Sequence, residues 1–156
     1  MTLFHTSNIE IQTPKVEFSR DHLDFGKGFY LTSLREQAEK YGERFIRKGE
    51  NAYLNIYELD EDLQEYSKII FNAYDEEWLK FVTACRKGLE HTKYDIIEGG
   101  IADDQVFNTI DLYFAGIYTF EQALNQLQFK RPNHQICITN QSLLNNKLRF
   151  IQAIKL

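Results

Sequence analysis

Proline occurs only twice in the 156 residues, at Pro14 and Pro132, so no proline-rich linker marks a domain boundary. Cysteine also occurs twice. Cys85 falls on a helix-like stripe and Cys137 in a short strand-like run, and their spacing suits neither a zinc site nor a redox pair. Both are expected to be small buried hydrophobes, a usage consistent with a reducing cytoplasm. No apolar run approaches the roughly 18 residues that cross a bilayer. The opening MTLFHTSNIEIQ has no basic segment and no long apolar segment, so a secretory signal is not expected. Positive charge is not in excess: the formal net charge is -5, which argues against non-specific nucleic-acid binding. There is no internal repeat. What the chain does have is 43% apolar and 14% aromatic residues, enough for a full core in one domain spanning residues 1–156.

Patterning predicts strands at residues 2–6, 28–32, 52–58, 67–71, 94–97, 134–139 and 147–154, with helices at 33–47, 75–87, 103–115, 119–128 and 141–145. Residues 8–27 read as a long connection. Ser33 and Glu36, and again Thr119 and Gln122, fit the reciprocal capping box at a helix start. Leu34, Ala38, Tyr41 and Phe45 form the expected buried stripe of the first helix, and Gly49 and Gly88 are the expected helix stops. Gly99-Gly100 reads as a turn. The mixing of strands and helices without regular alternation favours an α+β fold over a doubly wound sheet.

Charge is uneven. Residues 60–77 are acidic, whereas Arg20, Lys27, Arg35, Lys40, Arg44, Arg47 and Lys48 surround the stretch LDFGKGFYLT at residues 23–32. That basic neighbourhood suits either a phosphate-bearing ligand or a solvated helix face. Gly26 and Gly28 permit a tight turn and close approach of backbone or ligand. Tyr30 and Tyr41, taken singly, read as core residues. His22, His91 and His134 show no evident partner, and strand alternation places His134 on the face opposite its neighbour Gln135.

Taken together, Phe25-Gly-Lys-Gly-Phe-Tyr30 with Ala38 and Tyr41 resembles the FGKGIYFA…Y segment of the poly(ADP-ribose) polymerases, within the ADP-ribosyltransferase superfamily. Upstream, Phe4-His-Thr-Ser7 resembles that family's first-strand His-Gly-Ser/Thr motif. Downstream, Gln135-Ile-Cys-Ile-Thr-Asn-Gln-Ser-Leu-Leu144 and the strand after it resemble the third motif, where a Glu opens a strand leading to the closing hairpin. The three motifs keep the family's order and span nearly the whole chain. The pattern also resembles a bacterial domain family of unknown function with the same DFGKGFY signature.

The resemblance implies an ADP-ribosyltransferase-like split β-sheet with NAD, as substrate, in a cleft between two half-sheets, and no metal. By position, His5 binds the adenosine-side ribose, the backbone of Thr6 holds the nicotinamide amide with Ser7 beside it, and Tyr30 and Tyr41 pack the nicotinamide ring. Gln135 takes the place of the Glu that binds the nicotinamide-side ribose, and Gly28 lets the backbone pass close to the ligand. His5, Tyr30 and Gln135 are thus the expected catalytic set. Breaking the nicotinamide–ribose bond builds positive charge on the ribose, so the site's work is orientation and electrostatic stabilisation.

Three residues depart from the pattern: Thr6 for glycine, Ala38 for a serine of the amide clamp, and Gln135 for Glu. A Gln carbonyl accepts a hydroxyl but is uncharged and is no base. This argues against polymer elongation and for single transfer or slow NAD hydrolysis, with Gln135→Glu keeping or raising cleavage. Asp103 and Asp104, after the glycine pair, are either an auxiliary carboxylate or a helix cap. The leading expectation is a cytoplasmic mono-ADP-ribosyltransferase acting on a protein, nucleic acid or small molecule. By family analogy it is a bacterial toxin or phage-defence effector with an antitoxin partner and no membrane association. The competing expectations are a non-catalytic NAD- or ADP-ribose-binding module, and a structural protein whose tyrosines are core.

Overall fold

The computed structural model describes residues 1–89, 93–102, 104–127 and 133–156, the side chain of Asp104 excepted. The chain forms β1 (Thr2–Ser7), a 3-10 turn at Val16–Phe18, β2 (Phe29–Leu31), α1 (Arg35–Ile46), β3 (Tyr53–Leu59) and β4 (Lys68–Ile70). It continues with α2 (Glu76–Arg86), β5 (Ile96–Gly99), α3 (Asp104–Phe114), α4 (Phe120–Leu127), β6 (Gln135–Ile138), α5 (Gln141–Lys147) and β7 (Leu148–Lys155). The fold is mixed α+β with two sheets. One is antiparallel in the order β1-β3-β7; the other runs β2-β6-β5-β4 and is antiparallel except for its parallel β4–β5 edge. The sheets meet where Phe4 and Thr32 exchange backbone hydrogen bonds of 2.8 and 2.9 Å.

Alternation along the strands sorts the core. Leu3, Tyr57 and Leu148 of the first sheet join Phe29, Leu31, Ile96, Ile136 and Ile138 of the second, with Leu143 and Leu144 of α5 added. Ile97 and Cys137, on the other face of the second sheet, pack against Trp78, Leu79 and Val82 of α2, Val106 and Ile110 of α3, and Leu127 of α4. The outer face of the first sheet holds Leu54 and Ile56 under Ala38 of α1. Burial of apolar area at about 25 cal/mol per Å² drives all three contacts. Both cysteines are buried, and neither forms a disulfide. Among the described residues, no helix is long and apolar enough to cross a membrane.

Several local expectations change. The capping box at Thr119–Gln122 forms: Gln122 N donates to Thr119 Oγ1 at 3.2 Å and Thr119 N to Gln122 Oε1 at 2.9 Å. The one at Ser33 does not. Leu34 is the N-cap of α1 without a side-chain cap, because the Ser33 hydroxyl lies 3.1 Å from His134 Nδ1. Nor is the Leu34–Tyr41 stripe buried. Leu34 and Tyr41 are each 44% exposed, Phe45 is half-buried, and the buried face of α1 is Ala38 and Gly42. Thr6 Oγ1 donates to Ala38 O at 2.6 Å, which holds the helix so close to β1 that only small residues fit between them. Gly49 and Gly88 end their helices as expected, with φ of 73° and 69°, whereas Gly99 ends β5 and is not a turn residue.

His134 does lie opposite Gln135, on the face of Ile136, but it has partners: Nε2 is 2.9 Å from Glu98 Oε1. His22 also has one, its Nδ1 lying 2.9 Å from Arg86 O. His91 lies outside the described residues.

Candidate functional site

The site grows from the loop before β2. Gly26 takes φ 76°, the left-handed conformation that side chains disfavour, and Gly26 N donates to Leu23 O at 3.0 Å to close the turn. Tyr30 reaches back to the same loop. Its hydroxyl donates to Gly26 O at 2.6 Å and accepts from Phe25 N at 3.0 Å. Burial pushes that hydroxyl far above the ordinary phenol range, so it stays protonated and keeps donating. Gly28 has a different reason to be glycine. A Cβ there would lie 2.4 Å from Cys137 Sγ and 2.9 Å from Ile138 O. The close approach that the glycine pair signals is therefore the loop against β6.

His5 stands on β1, half-buried, with its ring 4.6 Å from that of Phe29. Its Nδ1 is 2.7 Å from Tyr30 O. A carbonyl only accepts, so Nδ1 carries the proton and Nε2 of the neutral ring is an acceptor. Burial lowers the His5 pKa, partly offset by that hydrogen bond, so the neutral form holds at physiological pH. Thr6, next on the strand, is buried with its hydroxyl on Ala38 O. Ser7, at the strand end, lies 3.4 Å from Asn8 Oδ1.

Gln135 opens β6 and is 7% exposed. Its Nε2 donates to Asp24 Oδ2 at 3.0 Å and to Gly100 O at 3.2 Å. Both partners only accept, which fixes the amide's orientation and leaves Oε1 as the end that receives a donor. Among the described residues, none donates to it. Cys137, two positions along β6 and hence on the same face as Gln135, pairs with Tyr30 across the strands. β2 thus lies between β1 and β6: His5 bonds the Tyr30 carbonyl from the Phe29 side, and the Tyr30 side chain shares the other face with Gln135.

Asp24 is the residue that sequence reasoning missed. It is 8% exposed. Its Oδ1 accepts from the Arg86 guanidinium, with Nε at 3.1 Å, and its Oδ2 accepts from Ala102 N at 2.9 Å and from Gln135. The Arg86 side chain is only 8% exposed, and its guanidinium carbon stands 3.2 Å from the Phe107 ring centroid. The available signal was a carboxylate inserted between Leu23 and Phe25, where an apolar residue would otherwise fit.

Tyr41 stands apart. Its hydroxyl accepts from Arg44 Nη1 at 2.8 Å, with the Arg44 guanidinium carbon 4.7 Å from the ring centroid. Among the described residues, no hydrogen bond or ring contact links it to His5, Tyr30 or Gln135. The expectations for Asp103 and for the Asp104 side chain lie outside the described residues. A cavity of about 400 Å³, lined in part by Phe71, Tyr74, Glu98, Gly100 and His134, opens beside β5. Gly100 is shared between this cavity and the Gln135 anchor. Among the described residues, no group of three or more His, Cys, Asp or Glu side chains could hold a metal ion.

A family model described as "Protein of unknown function (DUF3990)" matches residues 1–150 of the chain. No curated protein and no solved structure matches it.

Proposed function

We propose an activity for this chain, which belongs to the DUF3990 family: transfer of a single ADP-ribose from NAD to a macromolecular acceptor, with release of nicotinamide. The observation that carries the reading is a linkage of three residues from three separate sequence motifs: His5 bonds the Tyr30 carbonyl, and Tyr30 pairs with Cys137 on the face of Gln135. They are 25 and 105 positions apart in sequence, by subtraction of their numbers.

Each has a defined part in the proposed reaction. His5 offers Nε2, an acceptor on a neutral ring, to a ribose hydroxyl. Gln135 offers Oε1 to a second ribose hydroxyl, with its amide locked from behind by Asp24 and Gly100. Donation from Nε2 to the Asp24 carboxylate polarises the amide and puts more negative charge on Oε1. That compensates in part for the missing carboxylate as the nicotinamide–ribose bond breaks and the ribose becomes cationic. Tyr30, tied to the glycine turn, shapes the floor of the site, whereas Tyr41, which stands apart on Arg44, takes no part in it. The acceptor then attacks the ribose carbon and loses its proton to water.

Isotope-labelled NAD, incubated with the protein and a cell lysate that is then split into protein, DNA and RNA, tests the reading. Label in one fraction, with nicotinamide released and both lost in Gln135→Ala, is the expected result. No label and no nicotinamide overturns transfer. The neutral amide of Gln135 favours one second reading, a non-catalytic NAD- or ADP-ribose-binding module. It gives binding by titration calorimetry without nicotinamide release.

A further inference from the structure

We propose that Ser33, His134 and Glu98 form a second reactive centre, a serine nucleophile with its base, which takes the acyl group of small carboxylic esters. The three run diagonally across the four-stranded sheet. Ser33 follows β2, His134 precedes β6 and Glu98 is on β5; Leu31 and Glu98 both pair with Ile136. Ser33 Oγ is 3.1 Å from His134 Nδ1, and His134 Nε2 is 2.9 Å from Glu98 Oε1. Lys68 Nζ, 2.9 Å from Glu98 Oε2, extends the diagonal and keeps the carboxylate in place.

Two observations give the same proton position on His134. Glu98 is held ionised and so only accepts, which puts the ring proton on Nε2. Independently, Ser33 N, which can only donate, is directed at Nδ1 at 3.5 Å. Nδ1 is therefore the basic nitrogen, and the Ser33 hydroxyl donates to it. This is the order nucleophile, base, orienting carboxylate that activates a serine. Gln37 fixes the base from the backbone side: its Nε2 donates to His134 O at 2.7 Å and its Oε1 accepts from His134 N at 3.1 Å.

The surroundings suit acyl transfer. Ser33 is exposed and sits on the strand-to-helix turn between β2 and α1, a position that presents a hydroxyl outward with main-chain amides close behind it. Leu34 N is already used by Thr32 Oγ1 at 3.0 Å, but the first-turn amides of α1, from Arg35 on, have no acceptor within the helix and can bind a developing oxyanion. The cavity of about 400 Å³ begins at His134 and Glu98 and runs along Ile70, Phe71 and Ala73, an apolar lining for an acyl chain.

In the reaction, Ser33 Oγ bonds to the ester carbonyl carbon while its proton passes to Nδ1. The carbon–alkoxy bond breaks and the alcohol leaves with that proton. Water, deprotonated by the same nitrogen, then releases the acid and restores Ser33. Ester and water give acid and alcohol, with no further reactant.

A fluorophosphonate probe on the full-length chain tests this, read by intact mass and peptide mapping, alongside hydrolysis of p-nitrophenyl butyrate. The expected result is one adduct, on Ser33, absent in Ser33→Ala. His134→Gln should slow labelling by about 100-fold or more, and Glu98→Gln by about tenfold, as for loss of a general base and of its orienting group. No adduct on the wild-type chain, an adduct on another residue, or equal labelling of Ser33→Ala would each overturn the proposal. Ser33→Ala changes an exposed hydroxyl, so it remains decisive even where His134→Gln fails to fold.

Discussion

Consider Asp24→Ala. The substitution removes the acceptor for Arg86 Nε, Arg86 Nη2, Ala102 N and Gln135 Nε2 together. The Arg86 side chain is 8% exposed, so its charge cannot turn to water without rearranging α2. Leaving one partner of a buried ion pair alone costs about 3–5 kcal/mol. For a chain of this size each kcal/mol moves the melting temperature by about 2–4 °C, so the expected drop is about 6–20 °C. Because the loss comes from the stranded guanidinium, Asp24→Ala combined with Arg86→Met should recover at least about 2 kcal/mol over Asp24→Ala alone. Urea unfolding followed by circular dichroism, with an unchanged slope, measures both differences. An Asp24→Ala chain within about 1 kcal/mol of wild type, or a double variant no more stable than the single one, would show that the pair is not a structural anchor. The same variant frees the Gln135 amide to rotate. Nicotinamide release should therefore fall even well below the melting temperature, and should stay low in the restabilised double variant.

Gln135→Ala should lower nicotinamide release by about tenfold to a thousandfold, as loss of one preorganised group does. Gln135→Glu, expected from the sequence to keep or raise cleavage, instead sets a carboxylate about 3 Å from Asp24 in a buried site; it should lower stability and cleavage together at neutral pH. Tyr30→Ala should cost about 3–5 kcal/mol, since the ring packs in the core beside Cys137 and its hydroxyl closes the glycine turn. Tyr41→Ala, at an exposed ring apart from the site, should leave stability within about 1 kcal/mol and NAD affinity unchanged by calorimetry; weakened binding would bring Tyr41 into the site. Hydrogen bonding from His134, with Lys68 behind it, holds the Glu98 carboxyl at about 2, against an ordinary 4.5. A depressed carboxyl stabilises the fold above its unfolded value, and that contribution fades as pH falls through its folded one. Wild type should therefore lose more stability than Glu98→Gln between pH 4.5 and pH 2 in denaturant titrations, by about 1 kcal/mol once solvent screening of this partly exposed group is counted.

What the sequence by itself determined is what neighbours along the chain can enforce. The Thr119–Gln122 box forms because its groups lie three residues apart and meet as soon as one helical turn closes. Strand alternation placed His134 and Gln135 on opposite faces of β6, because a pleated strand has no other geometry. Gly26 announced a turn because its φ of 76° is a local demand. The tertiary structure decided everything that depended on a distant partner. Ser33 left its cap because His134, 101 residues on, takes its hydroxyl. The buried face of α1 moved to Ala38 and Gly42 because β1, met only on folding, comes too close for Tyr41 to fit beneath. Asp24 meets Arg86 and Gln135 from 62 and 111 residues away. A buried charge is tolerated only where such partners converge, and nothing in its own stretch of chain says where they are.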